Sequence, residues 1–459
     1  MTERIPGSFR DPSGYVYERD GKILRTVASD YIDEWKRCLE TGFLEQGVAS
    51  GRIVPFRSVD DEIPGGAAVL EVERIPFITY PYEWCFGQLK DAALLSLDLQ
   101  IDALARGLTL KDASAYNVQF IGSHPVFIDL LSFESREENQ PWSAYRQFCM
   151  HFLAPLALIR KTDLRCGTFS RLWIDGVPLE LAVKMLPWRS RFSLGLYLHL
   201  YLHARLEAKH GDARKSADKA RKAATSTKTQ IGIAENLRST INSLRLPATR
   251  TVWGDYYQDT NYDDEAAALK YELVAKAAKD APGRFALDLG ANTGKFSAIL
   301  SESHDYVLAA DIDPLAVERH YGKLKTEKAK NILPLILDFA NPSPGIGWAC
   351  SERAAFADRC RVDFITALAV IHHMVITAGI PMDYFAAGLK RLLAPGGRLL
   401  LEFVPKEDSQ VRRMLAARKD VFDNYSVEGM RVAFSPHFRE MAVYPIAGTV
   451  RTLHLFNVL

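Results

Sequence analysis

The residues whose types and spacing point to chemistry sit in the last two hundred positions. They are a glycine turn at Gly290 and Gly294, two acids that end apolar runs, Asp311 and Asp338, and the adjacent pair His372 and His373. Phe285–Ser297 reads as an apolar strand, a turn and a helix start, with Asp288 set among Ala286, Leu287 and Leu289. Glycine at 290 and 294 permits backbone conformations and a close ligand approach that a β-carbon would block. A turn of this kind at a strand's carboxyl end places backbone N–H groups of a helix N-terminus against a ligand carboxylate or phosphate. Asn292 stands where a dinucleotide fingerprint has its middle glycine, which disfavours pyrophosphate. Asp311, ending Tyr306–Asp313, suits the two hydroxyls of a ribose; the alternative is an acid capping the helix that begins at Pro314. Asp338, ending Ile332–Phe339, suits an exocyclic adenine amine.

These elements must be positioned by a parallel α/β sheet. Val362–His373 supplies a fourth apolar run, Leu392–Phe403 a Leu-x-Pro-Gly-Gly turn into a fifth, and Phe438–Tyr444 with Arg451–Val458 a closing hairpin. The ordered set, from about Ala281 onward, resembles the class I S-adenosylmethionine-dependent methyltransferases. The resemblance implies a Rossmann-like seven-stranded fold with S-adenosyl-L-methionine as cofactor and no metal. It implies cofactor contacts from Asp288, Gly290, Asn292, Gly294, Asp311, Ile312 and Asp338, with Phe339 as a ring neighbour.

Methyl transfer is an in-line displacement at a sulfonium methyl, so the protein has mainly to align a nucleophile and exclude water. For a hydroxyl nucleophile a general base helps, and imidazole titrates in the useful range. His372 and His373 follow the fourth run and are the catalytic candidates; the alternative is that one of them packs or caps the next helix. Tyr256, Tyr257 and Tyr262 lie just upstream of the first motif, where the family carries an aromatic flap, and otherwise would pack the helix that follows.

The first two hundred residues hold a second pattern. Asp112, Asn117 five residues on, and Asp129 at the end of Pro125–Leu130 resemble the catalytic loop and metal-binding acid of protein-kinase-like folds. The resemblance implies that Asp112 orients an acceptor hydroxyl while Asn117 and Asp129 hold magnesium beside a nucleotide. Arg74–Trp84 corresponds to the hinge-like strand and Phe86–Arg106 to the helices before the loop. Leu110 replaces the usual His, Leu130-Leu131 replaces Phe-Gly, the glycine-rich phosphate loop is absent, and no lysine stands clearly as the strand-three partner. Together these departures predict a degenerate or truncated first lobe. The alternative is that the three residues are turn and strand-end positions of an unrelated α+β domain.

At 459 residues the chain exceeds one core, and three parts are expected: an α+β, kinase-like domain over 1–205, a charged helical linker over 206–250, and a methyltransferase domain over 251–459. A formal net charge of +1 argues against a general nucleic-acid or membrane-surface binder, and the basic run 212–222 reads as a solvated face. Six cysteines without C-x-x-C pairs suggest neither disulfides nor zinc. No secretion signal or membrane span is visible, so a cytoplasmic protein is expected. The whole arrangement resembles bacterial nodulation-type methyltransferases, which implies O-methylation of a small-molecule or carbohydrate-like acceptor. The other functional class is a bifunctional or regulatory protein whose ATP-binding first half feeds or gates the methyltransferase.

Overall fold

A computed structural model of the chain describes residues 3–205, 226–246, 264–416 and 419–459. Tyr256, Tyr257, Tyr262 and the run 212–222 lie outside the described residues. The chain divides into two units: residues 1–249 with Ile346–Arg353, and residues 250–345 with 354–459.

In the first unit, β1 (Glu3–Arg4), β2 (Val16–Arg19), β3 (Lys22–Val27), β4 (Phe56–Val59) and β5 (Ala68–Val72) form an antiparallel sheet in the order β1-β2-β3-β5-β4. Leu24, Ile63 and Val69 close its apolar face. Two helices, α1 (Ile32–Glu40) and α2 (Phe43–Ala49), separate β3 from β4, and Trp35 packs edge-on against Phe56 at 5.6 Å. The first lobe is thus a full five-stranded sheet rather than a truncated one.

Arg74–Trp84 is not a strand. Pro76 and Pro81 remove ladder donors, and the segment ends in a short 3-10 turn, Pro81–Glu83. Its backbone bonds to a side chain instead: Thr79 N–H donates to Gln119 Oε1 and Gln119 Nε2 donates back to Thr79 O. Then α3 (Phe86–Leu104) runs as one helix, apolar on most sides because it is covered on most sides. It precedes β6 (Leu108–Leu110), the hairpin β7 (Val118–Ile121) and β8 (His124–Phe127), and β9 (Phe133–Ser135), which pairs with β6. Within the stretch expected as a linker, Thr227–Ser243 is a helix that buries Ala234, Leu237 and Ile241 and belongs to this first unit.

The second unit is built on β10 (Gly283–Leu289), β11 (His304–Asp311), β12 (Ile332–Ile336), β13 (Val362–Ala367), β14 (Leu393–Phe403), β15 (Phe438–Pro445) and β16 (Thr452–Val458). The order is β12-β11-β10-β13-β14-β16-β15. The first five are mutually parallel and their central strands are almost wholly apolar, as a sheet buried on both faces requires. β16 enters antiparallel between β14 and β15, closing the sheet with the expected hairpin. Strand order reverses at β10, whose neighbours β11 and β13 lead away on opposite sides, so a crevice opens at their carboxyl ends. No helix among the described residues is long and apolar enough to cross a membrane.

Candidate active site at the switch point of the parallel sheet

The turn after β10 takes the conformation its glycines allow. Gly290 and Gly294 have φ of +79° and +78°, and Asn292, at +48°, is one of the few non-glycine residues in this region. A methyl at Gly290 would lie 2.8 Å from Val370 Cγ2, and one at Gly294 would overlap the His320 imidazole. That ring is buried against the turn, and burial lowers its pKa to about 4. The helix that follows, Lys295–Leu300, starts directly after Gly294.

At the tip of β11, Asp311 closes the turn from the neighbouring strand. Its Oδ2 accepts from Asn292 N–H and its Oδ1 from Asp313 N–H, both at 2.8 Å. Burial pushes its carboxyl up to about 6, against the pull of those two N–H donors. The helix Pro314–Glu327 is capped by Asp313, whose side chain accepts from Leu315 N–H, so Asp311 is left for another role. Next to it Ile312 exposes an apolar side chain at 56 %. One strand further on, Leu337 N–H donates to Asp311 O, while Asp338 is partly exposed and accepts from Ala340 N–H. Phe339 is partly buried and sits edge-on to Phe385 at 5.9 Å. The structure therefore gathers Gly290, Asn292, Gly294, Asp311, Ile312, Asp338 and Phe339 along three adjacent strand ends. This polar cradle with an apolar wall has the chemistry an adenosyl group requires, carboxyl groups at two neighbouring strand tips and apolar side chains at Ile312 and Phe339.

Asp288 plays a different part from the one expected. It is 2 % exposed, its Oδ2 accepts from Ser297 Oγ at 2.6 Å and its Oδ1 from Thr366 Oγ1 at 2.9 Å. Because Asp288 stands in register with Thr366, it ties β10 to β13 and to the helix after the turn. It holds the cradle's scaffold rather than presenting a free carboxylate to the ligand.

His372 and His373 follow β13 and open the π-helical turn His373–Thr377, their rings 4.1 Å apart. His372 is 1 % exposed and its Nδ1 has no hydrogen-bond partner among the described residues; His373 is only partly buried. Burial lowers their pKa values to about 3 and about 4, so both imidazoles are neutral at neutral pH. A conjugate acid this strong makes either ring a weak proton acceptor.

A buried ionic array in this unit is scarcely legible from sequence. Lys270 Nζ donates to Glu402 Oε2 at 2.6 Å, Arg451 Nη1 to Glu402 Oε1 at 3.1 Å, and Arg451 Nε to Asp408 Oδ2 at 2.8 Å. The available signal was a charge at core spacing, since Lys270 shares a helix stripe with Ala266, Val274 and Ala277. Glu402 likewise closes the apolar run Leu399–Leu401.

In the first unit Asp112, Asn117 and Asp129 also come together. Asn117 Nδ2 donates to Asp112 O and to Ser132 Oγ, both at 3.2 Å, and Ser132 Oγ donates to Asp129 Oδ2 at 2.6 Å. Burial, and secondarily Asp129, raise the Asp112 carboxyl above its usual range.

The strand order, the glycine turn and the acids at successive strand tips define a class I S-adenosylmethionine-dependent methyltransferase. Residues 287–399 match the family model of a methyltransferase domain. The chain is 37 % identical over 462 residues to nodulation protein NoeA of Rhizobium meliloti (strain 1021), an alignment covering 99 % of this chain and 96 % of that protein, and it belongs to that family. Among solved structures, the N-methyltransferase NodS from Bradyrhizobium japonicum WM9 in complex with S-adenosyl-L-homocysteine is 15 % identical, covering 45 % of this chain and 99 % of that one, with a TM-score of 0.33. The bifunctional kinase-methyltransferase WbdD is 14 % identical, covering 44 % and 41 %, with a TM-score of 0.31.

Proposed function

We propose that the second unit methylates a hydroxyl of a small-molecule or carbohydrate-like acceptor. The observation that carries the reading is the Asp311 carboxylate, buried at a strand tip and fastened to the glycine turn, with His373 partly exposed after the next strand across the switch point. When bound, S-adenosylmethionine supplies an electrophilic methyl. Asp311 takes the ribose hydroxyls, Asp338 the adenine amine, and Ile312 and Phe339 flank the ring, while the turn 290–294 receives the amino-acid end. These contacts fix the direction of transfer, and orientation is the main source of rate in such a displacement. His373, backed by His372, meets the acceptor side as a neutral imidazole. It orients the hydroxyl by accepting a hydrogen bond; as the O–CH₃ bond forms and the S–CH₃ bond breaks, the oxygen becomes strongly acidic, and its proton passes to His373 and on to solvent even though that ring is a weak base.

The test is incubation of the full chain with donor labelled in the methyl group and with fractionated oligosaccharide and metabolite pools, followed by mass identification of products heavier by one CH₂. Label appearing on a sugar or metabolite hydroxyl supports the reading. Label appearing only on nitrogen or on protein refutes it.

A further inference from the structure

The cluster around Asp129 in the first unit already contains a cation. Arg25, on β3 and 7 % exposed, reaches Asp129 Oδ1 at 2.8 Å and Asp11 Oδ2 at 2.5 Å through the same Nη2. Asp11 lies on the connection between β1 and β2, and that connection is packed down onto β3. Thr26 N–H donates to Tyr15 O at 2.9 Å and Ala28 N–H to Ser13 O at 2.7 Å. A methyl at Gly14 would overlap Thr26 O and approach Leu131 Cδ1 to 3.0 Å. Lys111 joins the same cluster, donating to Ser13 Oγ at 2.8 Å with its ammonium 4.0 Å from the centre of the Tyr31 ring.

The metal that the kinase-like resemblance implies does not fit these residues. Magnesium requires near-octahedral oxygen ligands at about 2.1 Å and keeps several waters. Here both Asp129 oxygens are engaged, by Arg25, by Leu131 N–H and by Ser132 Oγ, and Asp112 Oδ1 accepts from Ser114 N–H and Gln147 Nε2. No group of three His, Cys, Asp or Glu residues suited to a metal occurs among the described residues. A divalent ion on Asp129 would also face a guanidinium charge across one carboxylate.

We infer that Arg25 is the resident cation of this cluster: it takes the place of the divalent metal, bridges Asp129 to Asp11, and fastens the β1–β2 connection to β3 beside Asp129. The first unit is then a structural domain closed by ion pairs, not a phosphotransferase. This inference is independent of the acceptor assigned to the second unit, because its readouts do not involve methyl transfer.

The test uses the full chain and MnCl₂ as probe. In wild type, electron paramagnetic resonance is expected to show no protein-bound manganese up to about 1 mM, with or without ATP, well above the range of a dedicated site. Saturable binding at or below about 1 mM overturns the inference. Arg25→Met leaves two facing carboxylates unpaired and is expected to melt several degrees lower, with about 10 mM MgCl₂ restoring at least half of the loss while leaving wild type unmoved. An Arg25→Met chain as stable as wild type, or one whose loss magnesium does not reduce, overturns it. If that variant does not fold, the wild-type manganese titration decides alone.

Discussion

The backbone N–H of Asn292 donates to Asp311 Oδ2 at 2.8 Å, joining the glycine turn after one strand to the acid at the tip of its neighbour. Under the proposed reading, cofactor recognition and the shape of the turn are coupled through this one carboxylate.

Asp311→Ala should remove the ribose contact and loosen the turn while the fold persists, since the side chain sits at a strand end. A charge-assisted pair of hydrogen bonds is worth about 3 kcal/mol or more, so cofactor affinity should fall at least about 100-fold by calorimetry. Wild-type affinity in a folded variant would remove Asp311 from the binding site.

The pH dependence of binding follows from the same group. With the carboxyl pushed up to about 6 in the free protein, the ionised form that best accepts ribose hydroxyls is complete above that value and declines below it. Cofactor affinity measured by calorimetry should be flat from neutral pH upward and should weaken as pH falls through about 6. Affinity unchanged down to pH 5, about one unit below that midpoint, would contradict the assignment.

Stability should show the opposite dominance. His151, His320 and His373, held at about 4, and His372, at about 3, are neutral in the fold but protonate near 6.5 when unfolded. The unfolded chain then binds more protons across that window, so these groups contribute stability above 6.5 that is lost as pH falls toward 4. Asp311, raised rather than lowered, works the other way between its unfolded value and about 6, as do the raised carboxyls of Asp112, Asp288 and Glu134, while His199, His304 and His454 are lowered as well and add to the histidine side. Urea midpoints should fall steadily on acidification from neutral pH toward pH 5; a rise would show the carboxyls dominating.

His373→Ala is expected to lower turnover by about tenfold or more with cofactor affinity within about twofold, the signature of a group on the acceptor side. The wild-type turnover profile should carry no inflection near the ordinary imidazole value of 6.5, since burial has moved both rings far below it. Unchanged turnover in both His372→Ala and His373→Ala would take histidine out of the scheme.

Arg451→Met should cost about 3–5 kcal/mol in chemical unfolding, because it removes the guanidinium that bridges Asp408 and Glu402 in a buried array. Lys270→Met should cost less, as Glu402 keeps Arg451. Equal losses would indicate that the array does not act as a chain.

The site was legible wherever it depends on local chain order. Glycine at 290 and 294 signals positive φ within four residues, and an acid after an apolar run marks a strand tip, so the cradle could be assembled on paper from three segments. Asp288 misled because its neighbours in sequence cannot reveal Ser297 and Thr366 as hydrogen-bond partners. The position of the histidine pair after a strand is legible in sequence, but its low basicity is not, since pKa depends on burial that only packing creates. Arg25 is not legible from sequence, because an arginine at that strand position acquires meaning only beside Asp11 and Asp129.

The sequence by itself determined the parallel sheet, its order of segments and the glycine turn, because hydrophobic periodicity and backbone conformational limits act over a few residues. Tertiary structure alone decided which charges meet: Arg25 with Asp129, Lys270 and Arg451 with Glu402, Asp311 with the Asn292 amide. Coulombic and desolvation energies depend on distance and burial in space, and chain separations of a hundred residues carry no information about either.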